Sequence, residues 1–164
     1  MNSVVVFDSR SGNTKRVAAV IAEALGASGS VEMVAATDAS ATVSDHHDLV
    51  VVGGPTEGRH ATPAIEAFFD RLPTHALRGI AVAAFDTRLD WPRLLSGSAA
   101  SDIQGWMRSL EAEVLVGPES FHVSQRPSLK DGELDRASRW ASDLAARAHD
   151  RMAEPTGAIA AAAA

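Results

Sequence analysis

Ser9-Arg10-Ser11-Gly12-Asn13-Thr14 is the segment whose residue types and spacing point most directly to chemistry. Gly12 permits a tight turn, and Ser9, Ser11, Asn13 and Thr14 bring short polar side chains to either side of it. Where a helix begins, its first amides lack partners within the helix and its dipole favours negative charge. A polar, glycine-containing turn at that point makes a seat for a phosphate without requiring a lysine. A loop that only caps the helix has much the same composition, because Ser and Thr are common helix caps. The sequence contains neither the G-x-x-x-x-G-K-[ST] run of P-loop NTPases nor the G-x-G-x-x-G dinucleotide fingerprint.

The elements on either side would place this loop well. Val4-Val5-Val6-Phe7 precedes it as a short apolar run, and Val17, Ile21 and Leu25, with Ala18 and Ala22, form a helical stripe stopped by Gly26. Similar runs recur at Leu49–Val52, Ile80–Phe85 and Val114–Val116, as expected of strands covered on both faces. Val31-Glu32-Met33-Val34 is mixed in polarity and suits a sheet edge. Helices are expected from Thr62-Pro63 to Leu72, from Ser101 with Gln104 as a capping box to Leu110, and along Leu134, Ala137, Ala141, Leu144 and Ala148. In the last of these, Glu133, Asp135, Arg136 and Arg139 read as a solvent face. Alternation of strand and helix predicts an α/β domain, a doubly wound parallel sheet with helices on both faces. Glu119 to Val123 reads as a short extra strand, so the fifth strand is expected to be split or extended there. Residues 1–150 read as one domain and 151–164 as an Ala-rich tail.

Composition narrows the function classes. A chain of 164 residues with a net charge of -6 attracts neither nucleic acid nor anionic membrane, and suits a basic partner protein. With no cysteine there is no disulfide, thiolate metal site or cysteine nucleophile. His46-His47-Asp48 looks like a metal cluster only superficially, since adjacent residues entering a strand face opposite ways; no metal is assigned. The N-terminal apolar run is too short for a signal-peptide core or a membrane span, which makes the cytoplasm the expected location.

The stretch VVVFDSRSGNTKRVAAVIAEAL resembles the N-terminal flavodoxin signature, a strand followed by Thr/Ser-x-Thr/Ser-Gly-x-Thr and a helix. Ser9, Ser11, Gly12, Asn13 and Thr14 match it, with Arg10 at its variable position. DLVVVGGPTEGRHATPAIEAFFDRL resembles the third strand, flavin loop and following helix of the family, and the segments 85–91 and 119–140 resemble actinobacterial-type flavodoxin-like proteins. The resemblance spans about residues 3 to 150. It implies a five-stranded sheet in the order 2-1-3-4-5 and FMN as cofactor, with the phosphate on the Ser9 to Thr14 loop.

The resemblance also implies that the isoalloxazine ring lies between loops following the third and fourth strands, often with an aromatic side chain on each. Here these would be Pro55 to Thr62 and Asp86 to Gly97, with Pro55, Thr56, Glu57, Gly58, His60, Asp86, Thr87, Arg88 and Trp91 as candidate contacts. The first loop has no Phe, Tyr or Trp, which departs from the family pattern. That leaves His60 as a flat partner or a solvated loop residue, and Trp91 as a ring cover or a lid over the core edge. Gly58 would let a peptide turn over near the flavin N5, or is a plain loop glycine. Arg88 and Asp90 would reach the ring edge or ribityl chain, or stay solvated.

Three functions follow from this pattern. The first is an FMN-binding electron carrier, in which Glu57 near the ring would disfavour its reduced anion. The second is an NAD(P)H-dependent FMN or quinone reductase, for which the missing first-loop aromatic provides room over the ring. The third is a flavodoxin-like binding module without cofactor.

Overall fold

Val4 and Val6 point into one hydrophobic core and Val5 and Phe7 into another, so the first strand, β1 (Asn2–Phe7), is buried from both sides. The same alternation runs through β3 (Leu49–Pro55) and β4 (Ala81–Leu89): Val50, Val52, Val82 and Ala84 face the first core, Leu49, Val51, Ala81, Ala83 and Phe85 the second. Helices α2 (Pro63–Asp70) and α4 (Ala99–Ser109) close the first core with Ile65, Phe68, Ile103 and Met107. Helices α1 (Asn13–Gly26) and α5 (Glu133–Ala153) close the second with Val17, Ile21, Leu25, Ala141 and Leu144. Continuous apolar runs are thus required by two-sided burial.

This computed structural model describes residues 1–124 and 128–153. All strand pairs are parallel, in the order β2-β1-β3-β4-β5, with β2 (Ser30–Ala35) at one edge. The expected order and helices on both faces are therefore present. The fifth strand is split as expected. β5 (Glu113–Val114) pairs with Ala81 and Val82, and β6 (Glu119–Val123) pairs with Phe85 to Leu89. Helix α5 runs through Ala153, three residues into the segment read as a tail; residues 154–164 of that segment lie outside the described residues. Among the described residues no helix is long and apolar enough to cross a membrane.

Three local expectations are corrected. Asp86, Thr87 and Arg88 belong to β4 and are buried, so the loop after that strand opens at Asp90. The cause is β6, whose residues Ser120, Phe121 and His122 pair with them and keep the strand going past the end of β3. Helix α4 starts at Ala99, earlier than Ser101, because Ser98 caps it by accepting the Ser101 N–H; Gln104 is buried and donates to the Val116 carbonyl at 2.9 Å. Glu133 and Arg136 do not lie on a solvent face. Glu133 is buried, accepts the His122 N–H at 2.9 Å and pairs with Arg136, whose guanidinium lies 4.7 Å from the centre of the Phe121 ring.

Candidate functional site

The sheet order reverses between β1 and β3, and the crevice beyond their carboxyl ends is where a doubly wound fold takes a ligand. The Ser9 to Thr14 loop lies there. Its Gly12 is the cap residue of α1, with φ 85°, and being glycine it lays no side chain over the opening amides. Ser9 Oγ accepts the Lys15 N–H at 3.2 Å, and Asn13 Nδ2 donates to Ser11 Oγ at 3.3 Å. Asn13 and Thr14 are buried, whereas Ser11, Lys15 and Arg16 are exposed. An open cleft along the flank of α1 is bordered by Ser11, Gly12, Asn13, Lys15, Arg16, Ala19 and Ser128.

The loop after β3 folds as a tight hairpin. Glu57 and His60 exchange both backbone hydrogen bonds, at 2.9 and 3.0 Å, and Gly58 and Arg59 between them both have positive φ, 53° and 79°. That is the signature of a type I′ turn, unusual in having Arg rather than Gly at its second central position. The turn leans on the α4 side: Arg59 Nη2 donates to the Leu94 carbonyl at 2.9 Å, and Asp102 Oδ2 accepts from the Ala61 N–H at 3.1 Å and lies 3.2 Å from His60 Nδ1. Glu57 faces the other way and forms an ion pair of 3.1 Å with Arg10 of the phosphate-type loop. Thr62, which caps α2 by position, spends its hydroxyl on Asp8 Oδ2 at 2.6 Å, tying the end of β1 to the same region.

The end of β4 reaches all of these loops. Asp86 Oδ2 accepts from Thr56 Oγ1, Ser98 Oγ and the Ala100 N–H at 3.1, 2.7 and 3.0 Å. Thr87 Oγ1 is 2.7 Å from Thr14 Oγ1, and Arg88 Nη1 donates to the Trp91 carbonyl at 2.7 Å and to Ser96 Oγ at 2.8 Å. Beyond β4 and the short α3 (Arg93–Ser96) the surface is apolar: Trp91 is 49% exposed, Leu94 82% and Leu95 63%. Asp90 bonds to Lys130, and that contact holds its carboxyl below the usual carboxylate range.

A model of the flavodoxin domain matches residues 4–93, a span that includes the helix-opening loop, the β3 hairpin and the start of the loop after β4. The chain belongs to the flavodoxin family. Among solved structures, a flavodoxin from the domain Archaea superposes with a TM-score of 0.77 over 91% of this chain and 99% of that one, at 22% identity. Flavodoxin 1 from Bacillus cereus gives 0.74 over 88% and 97%, at 19% identity. The rubredoxin oxygen:oxidoreductase of Desulfovibrio gigas gives 0.74 over 93% of this chain but only 37% of its own length, at 16% identity. At these identities the likeness is one of fold. No curated protein matches the sequence.

FMN is the cofactor of flavodoxins. The residues at the opening of α1 fit its phosphate: a cap residue without a side chain, hydroxyls and an amide around it, and the amides of the first helical turn. Of the residues singled out in the sequence, Ser9, Arg10, Ser11, Gly12, Asn13 and Thr14 are brought together with Glu57 through Arg10 and with Thr87 through Thr14. Pro55, Thr56 and Gly58 sit on the neighbouring loop, Trp91 stands at the far side of the β4 end, and His60 is drawn toward α4. Sequence reasoning missed Ser98, Asp102, Arg59 and Gly97, which stitch the loops after β3 and β4 together. A Cβ at Gly97 would lie 2.0 Å from the Arg59 carbonyl oxygen. The only signal for them was a Ser-Ala-Ala stretch ahead of an apolar helical pattern.

Proposed function

We propose that this flavodoxin-family chain binds FMN and works as an electron carrier, with residues 1–150 in the redox domain. The observation that carries this is the opening of α1, where the glycine cap and the polar residues Ser9, Ser11, Asn13 and Thr14 follow β1 at the switch in strand order. FMN, when bound, supplies the capacity to take up one or two electrons; the protein supplies orientation and electrostatics. In this reading the opening amides of α1 and the hydroxyls of Ser9, Ser11 and Thr14 hold the phosphate. The ring lies by the loops at Pro55 to His60 and Asp90 to Gly97, with Trp91 along one face. Glu57 brings negative charge near the ring, which disfavours its reduced anion, and Arg10, 3.1 Å away, moderates that charge. The net charge of -6 favours a basic redox partner, and the setting in this reading is cytoplasmic.

A second reading, an NAD(P)H-dependent FMN or quinone reductase, draws on the first ring loop. It has no Phe, Tyr or Trp, and His60 is held by Asp102, so one ring face is less covered and leaves room for a nicotinamide. Titration of the apo protein with FMN and with riboflavin tests FMN binding: FMN should bind more tightly, and equal affinities or no binding would defeat it, leaving a cofactor-free module. Turnover with NAD(P)H as the only reductant would decide for the reductase over the carrier.

A further inference from the structure

Three consecutive residues at the end of β4 each anchor a different part of the site. Side chains alternate along a strand, so Asp86 and Arg88 face the α4 layer while Thr87 faces α1. Thr87 meets Thr14 at the phosphate-type loop, and Arg88 holds the Asp90 to Gly97 loop through the Trp91 carbonyl and Ser96. Asp86 joins the two sides of the ring site: Thr56 comes from the loop after β3, Ser98 and Ala100 from the start of α4. Thr56 Oγ1 in turn accepts the Ala99 N–H at 2.9 Å, which closes the link. Asp86 is fully buried, and all three donors converge on Oδ2, while Oδ1 has no partner.

We propose that Asp86 is a positioning residue that sets the spacing between the Thr56 to Thr62 loop and the start of α4, and so the slot for the isoalloxazine ring. The proposal rests on the FMN reading and gives Asp86 a role other than direct contact with the cofactor. A surface loop carries no such requirement. Here a polar residue is buried where an apolar one would pack, and one of its oxygens accepts hydrogen bonds from both segments, beside the Ala99–Thr56 and Ala61–Asp102 bonds that also join them. The Asp86 tie depends on one acceptor oxygen. An Asp86→Asn side chain presents its carbonyl oxygen in the place of Oδ2 and its amide in the place of the unpartnered Oδ1, so it keeps the tie. Asp86→Ala removes it and leaves the Ser98 hydroxyl and the Ala100 N–H unpaired.

The test compares wild type, Asp86→Ala and Asp86→Asn in two measurements. Amide hydrogen exchange on the flavin-free protein should show exchange about tenfold faster or more in Asp86→Ala at Ala99, Ala100 and residues 56–62, with β1 and the start of α1 unchanged and Asp86→Asn close to wild type. Affinities for FMN and riboflavin should fall in Asp86→Ala by the same factor, on the order of tenfold, because the ring slot is altered and the phosphate seat is not. Unchanged exchange in both segments overturns the proposal, as does a loss confined to FMN. If Asp86→Ala does not fold, Thr56→Val, which removes one donor, takes its place with the same expected pattern. If wild type binds neither flavin the FMN reading fails on its own, and the exchange measurement still decides whether Asp86 sets the loop spacing.

Discussion

Thr14 Oγ1 and Thr87 Oγ1 lie 2.7 Å apart, both buried, so the first turn of α1 is fastened to the end of β4 through one hydroxyl pair. A hydroxyl has a single proton to give. If Thr87 donates to Thr14, the Thr14 proton is free for a phosphate oxygen, which only accepts. Thr87→Val should therefore cost about 1–2 kcal/mol of stability by stranding its partner, with little loss of FMN affinity. Thr14→Val should cost a similar amount and also weaken FMN more than riboflavin. The double variant should be less destabilised than the sum of the two in urea unfolding. Strict additivity would show that the two hydroxyls do not interact.

The layout was legible in the sequence where a repeating physical requirement acted on many residues. Two-sided burial forces apolar runs, so Val4 to Phe7, Leu49 to Val52 and Ile80 to Phe85 could be read as central strands; the helix stripe of Val17, Ile21 and Leu25 was equally direct. The turn at Gly12 was legible as the opening of a helix, which a phosphate seat and a plain cap require alike. Asp86, Thr87 and Arg88 were placed in a loop because the apolar run ends at Phe85 and the resemblance puts a loop after the fourth strand. Their burial depends on β6, 34 residues later in the chain, whose strand character was legible but whose pairing with them was not. Glu133 misled for the same reason: its partners His122 and Arg136 are set by the packing of α5 on β6.

Two glycines near α4 should respond in opposite ways to alanine. Gly97 has φ 69°, and a Cβ there would sit 2.0 Å from the Arg59 carbonyl oxygen, an atom of the backbone that cannot swing aside. Gly97→Ala should therefore destabilise the protein by about 2 kcal/mol or more, from backbone strain and the clash together. Gly105 lies inside α4 with nothing within 4 Å of its Cβ position. Gly105→Ala should stabilise by about 0.5–1 kcal/mol through helix propensity. Unfolding midpoints in urea measure both, and a loss at Gly105 would mean that α4 is not the regular helix described.

Asp90 should show its attachment to Lys130 in its titration. The Lys130 hydrogen bond is the largest cause lowering its carboxyl, followed by the charges of Lys130 and His122. A carboxyl lowered in the folded state stabilises the fold above the ordinary Asp value of about 3.9, and that contribution disappears as the pH falls through the lower folded value. Carbon NMR should place the Asp90 midpoint below the ordinary Asp range in wild type and higher in Lys130→Ala. The pair is exposed, so added salt should shrink the difference. Equal midpoints in the two proteins would show that Lys130 does not hold the loop that carries Trp91.

Trp91 should be the tryptophan that reports on the flavin. It is 49% exposed with no aromatic partner among the described residues, whereas Trp106 packs on Phe69 at 5.3 Å between ring centres and Trp140 lies 6.4 Å from Phe85 and 6.1 Å from Phe121. Trp91→Ala removes little packing and should leave stability within about 0.5 kcal/mol of wild type. It should weaken FMN by about 0.5–1.5 kcal/mol, the scale of an aromatic stack, and abolish most of the quenching of tryptophan emission on adding FMN. Trp140→Ala should do the reverse, costing about 3 kcal/mol or more of stability through the cavity it leaves while retaining the quenching. Unchanged affinity and quenching in Trp91→Ala would place the ring away from the loop after β4. An intact carrier-like affinity together with turnover on NAD(P)H would instead mean that the face opposite Trp91 is open, because hydride transfer needs the nicotinamide to lie against it.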